Sequence, residues 1–402
     1  MSSVSVVVPC YNYAHFLREC VESVLAQRGV DVRVLVLDDC SQDDTPRVGA
    51  ALAAEDPRVE FRRHATNQRH IATYNEGLEW ASGDYTVLLS ADDLLTPGAL
   101  ARATRVMDAH PEVGFVYGAN IRLVTGEPRR PPRTEAPAAP AELWDGRVWL
   151  DAICRRRALF IDSPEVVVRT AMYKRHGGYR PELPHTADVE MWLRLASHCD
   201  VGRVDADQAY YRVHGQNMHG QLAGSAVRSL EHWRAAFSSY FDHGGAALPG
   251  GEARRREAYA SLAAQALRYA YAPTPGGPTA ARDELAGFAA RVAPEVVSPR
   301  GAFTAGARGA SALEPWARRA VLGVPAYLLR ALARDGSRGA LAALRGDALG
   351  SAFLLGRAWA HLRLVAATAS RRATLPVGPL PPGRIVPASA AGAREAPPAT
   401  GS

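Results

Sequence analysis

The sequence predicts an α/β protein: a mainly parallel central sheet over residues 1–220, followed by a mostly α-helical C-terminal extension. Two observations lead there. Short, nearly uncharged runs at residues 4–8, 32–37 and 85–89 are separated by stretches of helical periodicity, the pattern of parallel strands covered on both faces. Beyond Gly220 the chain turns to long Ala/Arg/Leu segments without strand signals.

Taken in order, residues 4–8 form the first strand. A helix follows whose apolar positions Leu17, Val21, Val24 and Leu25 share one face, with Gly29 placed to close it. Residues 32–37 make the second strand, 45–55 a helix, 59–61 a third strand, 70–81 a helix and 85–89 the next strand. Thr96 and Pro97 supply a cap and an N1 proline for another helix. Residues 113–117 and 120–124 read as further strands, and 128–141 as an exposed, mobile Pro/Ala/Arg-rich loop. A block from 144 to 211 carries a helix at 148–157, a strand at 166–168 and a helix at 189–197. Helices are expected at 222–242, 251–271 and 279–293, within a helical extension spanning 221–300. A last helical group covers 312–372 within a region 301–372, and the Pro/Ala-rich tail 373–402 is expected to be disordered.

Composition excludes several classes of function. Hydrophobic residues make up 47% of the 402, so the chain is not disordered throughout, and its length allows a large core. A formal net charge of +6, with arginines scattered rather than concentrated, gives no nucleic-acid face. Cys10, Cys20, Cys40, Cys154 and Cys199 have no metal-type spacing and read as reduced thiols. With no basic, cleavable leader and no uncharged stretch of about 18 residues, a cytoplasmic setting is expected. The amphipathic segments 321–332 and 352–369 are compatible with packing on a domain, with self-association, or with the inner face of a membrane.

The candidate chemistry lies at strand ends. Asp92 and Asp93 follow the apolar run 85–89, where carboxylates can hold Mn2+ or Mg2+ against a phosphorylated ligand. Asp38 and Asp39 end the second strand and can face the same edge, accepting hydrogen bonds from a base or ribose. Asp43 and Asp44 read as helix caps. Asp188 falls at a helix start, where the dipole favours the ionised form and a carboxylate can serve either as a cap or as a general base. Glu190 more plausibly orients the pocket or pairs with an arginine. Arg212 is a candidate phosphate contact. His214 is either a third metal ligand or a structural histidine. No glycine-rich phosphate loop occurs.

Together these motifs resemble family 2 glycosyltransferases, the inverting enzymes with a GT-A fold. The likeness runs over residues 3–218, from Val6-Val7-Val8-Pro9-Cys10-Tyr11-Asn12-Tyr13 through Asp38-Asp39-Cys40-Ser41 to Tyr211-Arg212-Val213-His214. Asn67, Asn75, Gly77, Gly83 and Tyr85 fall at familiar positions, and Gly177-Gly178-Tyr179 is similar to the glycine pair that shapes the acceptor side. Three positions depart from the family pattern: Cys40 stands where Gly is usual, Ser90 replaces the first acid of the metal motif, and Ala187 replaces a common Glu.

The resemblance implies transfer of a sugar from a nucleoside diphosphate, uridine favoured and thymidine open, to an acceptor hydroxyl. It implies Asp188 as the base and a donor site from Pro9, Tyr11, Asn12, Asp38, Asp39, Asn67, Asn75 and Arg212. A divalent metal would be held by Asp92, Asp93 and His214. The alternatives are a non-catalytic scaffold that binds nucleotide sugar or acceptor, and a nucleotidyltransferase. The latter is disfavoured because Pro9-Cys10-Tyr11-Asn12 is a poor triphosphate loop.

Overall fold

The computed structural model describes residues 1–124, 126–156, 161–215, 217, 225–270, 279–297, 338, 354–355 and 383–387. Most of the region 301–372 and of the tail 373–402 therefore lies outside the described residues, including nearly all of segments 321–332 and 352–369. The chain divides into two compact units. One holds Met1–Leu150, Phe160–Gly220 and Pro382–Ser402, the other Asp151–Leu159 and Gln221–Pro381.

The first unit is built on one mixed sheet. In chain order its elements begin β1 (Ser3–Cys10), α1 (Ala14–Leu25), β2 (Asp31–Asp38), α2 (Thr45–Glu55), β3 (Val59–Arg63), α3 (His70–Trp80) and β4 (Tyr85–Leu88). They continue with β5 (Leu94–Leu95), α4 (Ala99–Ala109), β6 (Val113–Val124), β7 (Ala141–Trp144) and α5 (Gly146–Arg156), whose residues from Asp151 on are assigned to the second unit. Then come β8 (Val167–Arg169), α6 (Thr170–His176), α7 (Ala187–Ala196), β9 (Asp200–Val213) and, near the C-terminus, β10 (Arg384–Val386). The strand order is β10-β7-β9-β6-β8-β4-β1-β2-β3, with β5 pairing β9.

The longest pairings are parallel, as expected. β1 runs parallel to β2 and β4, β2 to β3, and β6 to β9. The short β8 is antiparallel to both β4 and β6. Order 3-2-1-4 means that the chain winds one way from β1 and then crosses to β1's other side. The resulting switch point opens a crevice at the carboxyl ends of β1 and β4.

β1 is buried on both faces because every other residue is not enough to satisfy two helical layers: Val4, Val6, Val7 and Val8 are all buried. Gly77 lets α3 lie directly on Val7, since a Cβ there would come within 2.1 Å of Val7 Cγ1.

Several boundaries differ from expectation. α1 ends at Leu25, with the Ala26 amide donating to Glu22 O, so Gly29 does not close it. Gly29 instead takes φ +79° in the turn before β2. Thr96 is not a helix cap, because its hydroxyl donates to the Asp207 carbonyl at 2.7 Å and the cap position falls to Gly98. The two strands expected at 113–117 and 120–124 form one strand, whose irregular register near Gly114 and Gly118 absorbs the break. Within the tail expected to be disordered, Arg384–Val386 forms an edge strand on β7, and Arg384 pairs with Glu112 at 3.0 Å.

Loop 128–141 is largely exposed, yet it is anchored. Arg133 meets Asp205 at 2.7 Å and Asp207 at 3.2 Å, and the Tyr210 hydroxyl donates to Arg130 O. Buried Arg102 ties the loop down: it donates to Ala136 O, Pro97 O, Asp207 O, Thr96 Oγ1 and Gln208 Oε1.

The second unit is helical in its described residues. α8 (Ala226–Asp242) is capped by Ser225, which accepts from the Arg228 amide at 3.2 Å, and is followed by α9 (Gly251–Ala270), α10 (Thr279–Val292) and α11 (Pro294–Val297). Leu230, Trp233, Phe237 and Phe241 form the buried stripe of α8; Leu262, Leu267 and Phe288 are also buried. No helix among the described residues is long and apolar enough to cross a membrane.

Replacing Arg102 by Met would take a donor from three buried acceptors, Gln208 Oε1, Thr96 Oγ1 and Asp207 O. We expect Arg102→Met to lower stability by ~3 kcal/mol in a denaturant titration.

Candidate active site

The turns after β1 and β2 interlock. Asn12 adopts φ +59°, its amide donates to Ser41 Oγ and its Oδ1 accepts from the Gln42 amide, each at 2.8 Å. Asp43 joins both helices to these turns, accepting from the Ala14 amide at 3.0 Å and from Thr45 N and Oγ1. Asp44 pairs instead with Arg47. Tyr11, just beyond the end of β1, is 46% exposed, which leaves a ring at the crevice for a planar ligand to lie against.

The two aspartates that end β2 have different surroundings. Asp38 is fully buried: Oδ1 accepts from the Ser41 amide at 2.9 Å and Oδ2 lies 3.1 Å from Arg63 Nε. It shapes the turn and is too enclosed to reach a ligand in this conformation. Asp39 Oδ1 accepts from the Gln68 amide at 2.7 Å and lies 2.8 Å from His64 Nδ1. His64 Nε2 lies 2.8 Å from Glu76 Oε2. Asn67 supports the same loop, donating to Asp39 O at 3.1 Å and accepting from the Arg69 amide.

Of the three expected metal ligands, two come together. Asp92 Oδ2 and His214 Nε2 are 3.0 Å apart, and the imidazole is bracketed by Tyr13 and Phe16. Asp93 does not join them, because its Oδ1 accepts the Arg212 backbone amide at 2.8 Å. Burial, followed by the neighbouring Asp92 charge, pushes the Asp93 carboxyl well above the usual range. Among the described residues no three His, Cys, Asp or Glu side chains converge as a ready-made metal cage. Arg212 is itself anchored: Nε donates to Asp92 O at 2.7 Å, Nη2 meets Glu19 at 2.6 Å, and the guanidinium lies over Phe16. Any phosphate contact therefore falls to Nη1.

On the other side of the crevice, Asp188 is the second residue of α7 and half-buried. Burial pushes its carboxyl up to about 6, opposed by a 2.8 Å bond from the Val189 amide and reinforced by the charge of Asp162. Burial, then the Tyr179 hydroxyl and the charges of Asp92, Asp188 and Asp93, push the hydroxyl of Tyr74 on α3 above its ordinary value.

Glu190 is buried and pairs with Arg180 at 3.1 Å and Arg194 at 3.0 Å. Arg194 then donates to the carbonyls of His176, Gly177 and Gly178. Asn75 acts as a latch on this turn, since its Nδ2 donates to Tyr179 O and its Oδ1 accepts from Tyr179 N. A Cβ at residue 178 would come within 2.2 Å of Asn75 Oδ1, so a side chain there would displace the latch. Both polar atoms of the Asn75 side chain are thus committed to this turn.

Three further residues belong to the site. Tyr74 carries no motif that marks it. Asp162 and Glu165 form a capping box in Asp162-Ser163-Pro164-Glu165, a pattern legible in the sequence. Asn120 donates to both, and burial pushes Glu165 up to about 8. The buried cysteines are inert by comparison: burial raises the Cys10 thiol to about 12.

The mostly parallel sheet with strand order 3-2-1-4 and helices between its strands is the GT-A fold. Residues 5–175 match the model of Glycosyl transferase family 2. An uncharacterized glycosyltransferase of Nostoc sp. is 26% identical over 242 residues, covering 57% of this chain and 70% of that one. The Campylobacter jejuni GalNAc(5)-diNAcBac-PP-undecaprenol beta-1,3-glucosyltransferase is 34% identical over 119 residues, 29% of this chain and 38% of that protein. Across the curated relatives the matched part spans as little as 14% of the relative's own length. The crystal structure of S. aureus TarS 1-349 in complex with UDP shares the fold with a TM-score of 0.50 at 19% identity, covering 88% of this chain and 90% of that one.

Cys40, where the family usually has glycine, takes φ +65°, a region in which a Cβ is strained. We expect Cys40→Gly to stabilise the protein by ~1 kcal/mol, read as a raised thermal midpoint.

Proposed function

We propose that this chain is an inverting glycosyltransferase that moves a sugar from a nucleoside-diphosphate sugar to an acceptor hydroxyl. The observation that carries the reading is Asp188: a half-buried carboxylate at a helix start, raised to about 6 and sharing the field around Tyr74 with Asp92 and Asp93. A base with this affinity is ionised at neutral pH yet holds a proton better than an exposed aspartate.

In this mechanism Asp188 takes the proton of the acceptor hydroxyl. The hydroxyl oxygen forms a bond to the sugar C1 from the face opposite the diphosphate. The C1–O bond breaks and its electron pair leaves on the nucleoside diphosphate, so the anomeric centre inverts. Asp39 accepts from the base or ribose, Tyr11 stacks against it, and Pro9, Asn12 and Asn67 hold the turns that carry these groups. Asp38 and Asn75 position neighbouring backbone.

Asp92 and His214 are the residues that would hold Mn2+ or Mg2+, with the donor's phosphates completing the oxygen-rich set. A divalent ion there stabilises charge on the leaving diphosphate. Asp93 supports the pair by fixing the Arg212 backbone. TarS bears on the donor because its crystals contain UDP, and uridine is the proposed base. The setting proposed is the cytoplasm, where nucleotide sugars are available.

Three outcomes test this reading. Asp188→Asn should bind UDP as the parent does, by calorimetry, while transfer falls at least ~100-fold; full transfer by that variant would sink the base assignment. Its fold should be retained. A carboxyl raised from 3.8 to about 6 destabilises the native state as pH rises through that interval, and a neutral amide avoids this cost. In the parent, kcat/KM should fall as pH drops below about 6, when Asp188 is protonated, and a flat acid limb would contradict the assignment. Asp92→Ala should abolish the increase in UDP affinity on adding Mn2+, and unchanged stimulation would exclude Asp92 as a ligand.

A further inference from the structure

The bonds around Asp39 are unevenly shared between its oxygens. Two donors converge on Oδ1, Gln68 N at 2.7 Å and His64 Nδ1 at 2.8 Å. An ionised carboxylate oxygen offers two lone pairs, so two donors saturate it. His64 in turn bridges to Glu76 Oε2 at 2.8 Å. Ionised carboxylates only accept, so bonding at both ring nitrogens requires both to donate, which is the imidazolium form.

The geometry points to His64 as a positioning residue that makes Asp39 a one-point acceptor, selecting a nucleoside diphosphate whose base presents a single imide N–H. Uracil and thymine present one such N–H between two carbonyls. Guanine presents N1–H and N2–H side by side, a pair that fits a carboxylate only when both oxygens are open. With Oδ1 filled, uridine or thymidine diphosphate is matched and guanosine diphosphate leaves one donor unpaired in the crevice, a loss that discriminates strongly. The inference rests on the donor-site reading above and adds the residue that enforces the choice of base.

The clamp is tied to pH. The charged groups facing His64 are Asp39 from the end of β2 and Glu76 from α3, while neighbouring Arg63 is drawn away to Asp38 at 3.1 Å. Burial opposes the charged ring, but the bonds to Asp39 and Glu76 outweigh it and hold the imidazole above its ordinary value. Below that raised value the imidazolium grips both carboxylates. As pH rises through it, one nitrogen ceases to donate and Asp39 loosens.

The test is calorimetric titration of the full chain with UDP, dTDP and GDP between about pH 6 and 9, alongside the variants His64→Leu, Glu76→Gln and Asp39→Asn. The parent should prefer UDP over GDP by at least about tenfold and lose UDP affinity as pH rises. Glu76→Gln should move that loss to lower pH, because one of the two carboxylates that hold the proton is gone; a merely structural histidine would not produce this shift. His64→Leu should flatten the pH profile and narrow the UDP-to-GDP ratio. Equal affinity for UDP and GDP in the parent, or a pH-independent UDP affinity, overturns the proposal even where a His64 variant does not fold. UDP binding unchanged in Asp39→Asn overturns it while leaving the transferase reading, tested at Asp188, intact. Failure of the parent to bind any of the three nucleotides removes both.

Discussion

The burial of β1 between two parallel neighbours is the constraint on which the rest depends. Its residues pair with β2 from Ser3↔Asp31 to Cys10↔Asp38 and with β4 from Val4↔Tyr85 to Val7↔Leu88. That register brings the carboxyl ends of β1, β2 and β4 level, so that the turns bearing Asn12, Asp39 and Asp92 meet at one edge. A strand covered on both faces cannot slip by one residue without turning its valines toward the wrong layer. The register of the core therefore sets the geometry of the site.

At that edge, acidic side chains would repel one another unless most were neutralised or given donors. The fold does this selectively. Asp38 takes Ser41 and Arg63, Asp93 takes the Arg212 amide, and Glu190 takes two arginines. The carboxylates of Asp39, Asp92 and Asp188 have no arginine partner among the described residues. The residues that serve structure and those that face a ligand are thus chemically alike and separated only by their partners. Arginine is the recurring partner because one guanidinium can satisfy several carbonyls and a carboxylate at once, as Arg194 does.

Much of the fold was legible because it is local. α2 runs from Thr45 to Glu55, as expected, and the strand at Tyr85 stops just before the Asp92–Asp93 pair. Errors arose where a local signal competed with a distant one. Thr96 has the chemistry of a cap, yet a carbonyl of β9 claims its hydroxyl. Residues 384–386 sit in a composition typical of disorder, yet the open edge of β7 offers them backbone partners. Asn75 falls at a family position and was assigned to the donor, whereas its amide matches the backbone of Tyr179.

By itself the sequence determined the alternation of strands and helices and the placement of acids at strand ends, because both are written in neighbouring residues. The tertiary structure decided which oxygens of those acids remain available. Those decisions depend on contacts between distant positions, 119 residues apart for Asp93 and Arg212 and 104 for Asn75 and Tyr179. A carboxylate's role follows from the donors around it, and no spacing along the chain records which donors the fold will bring.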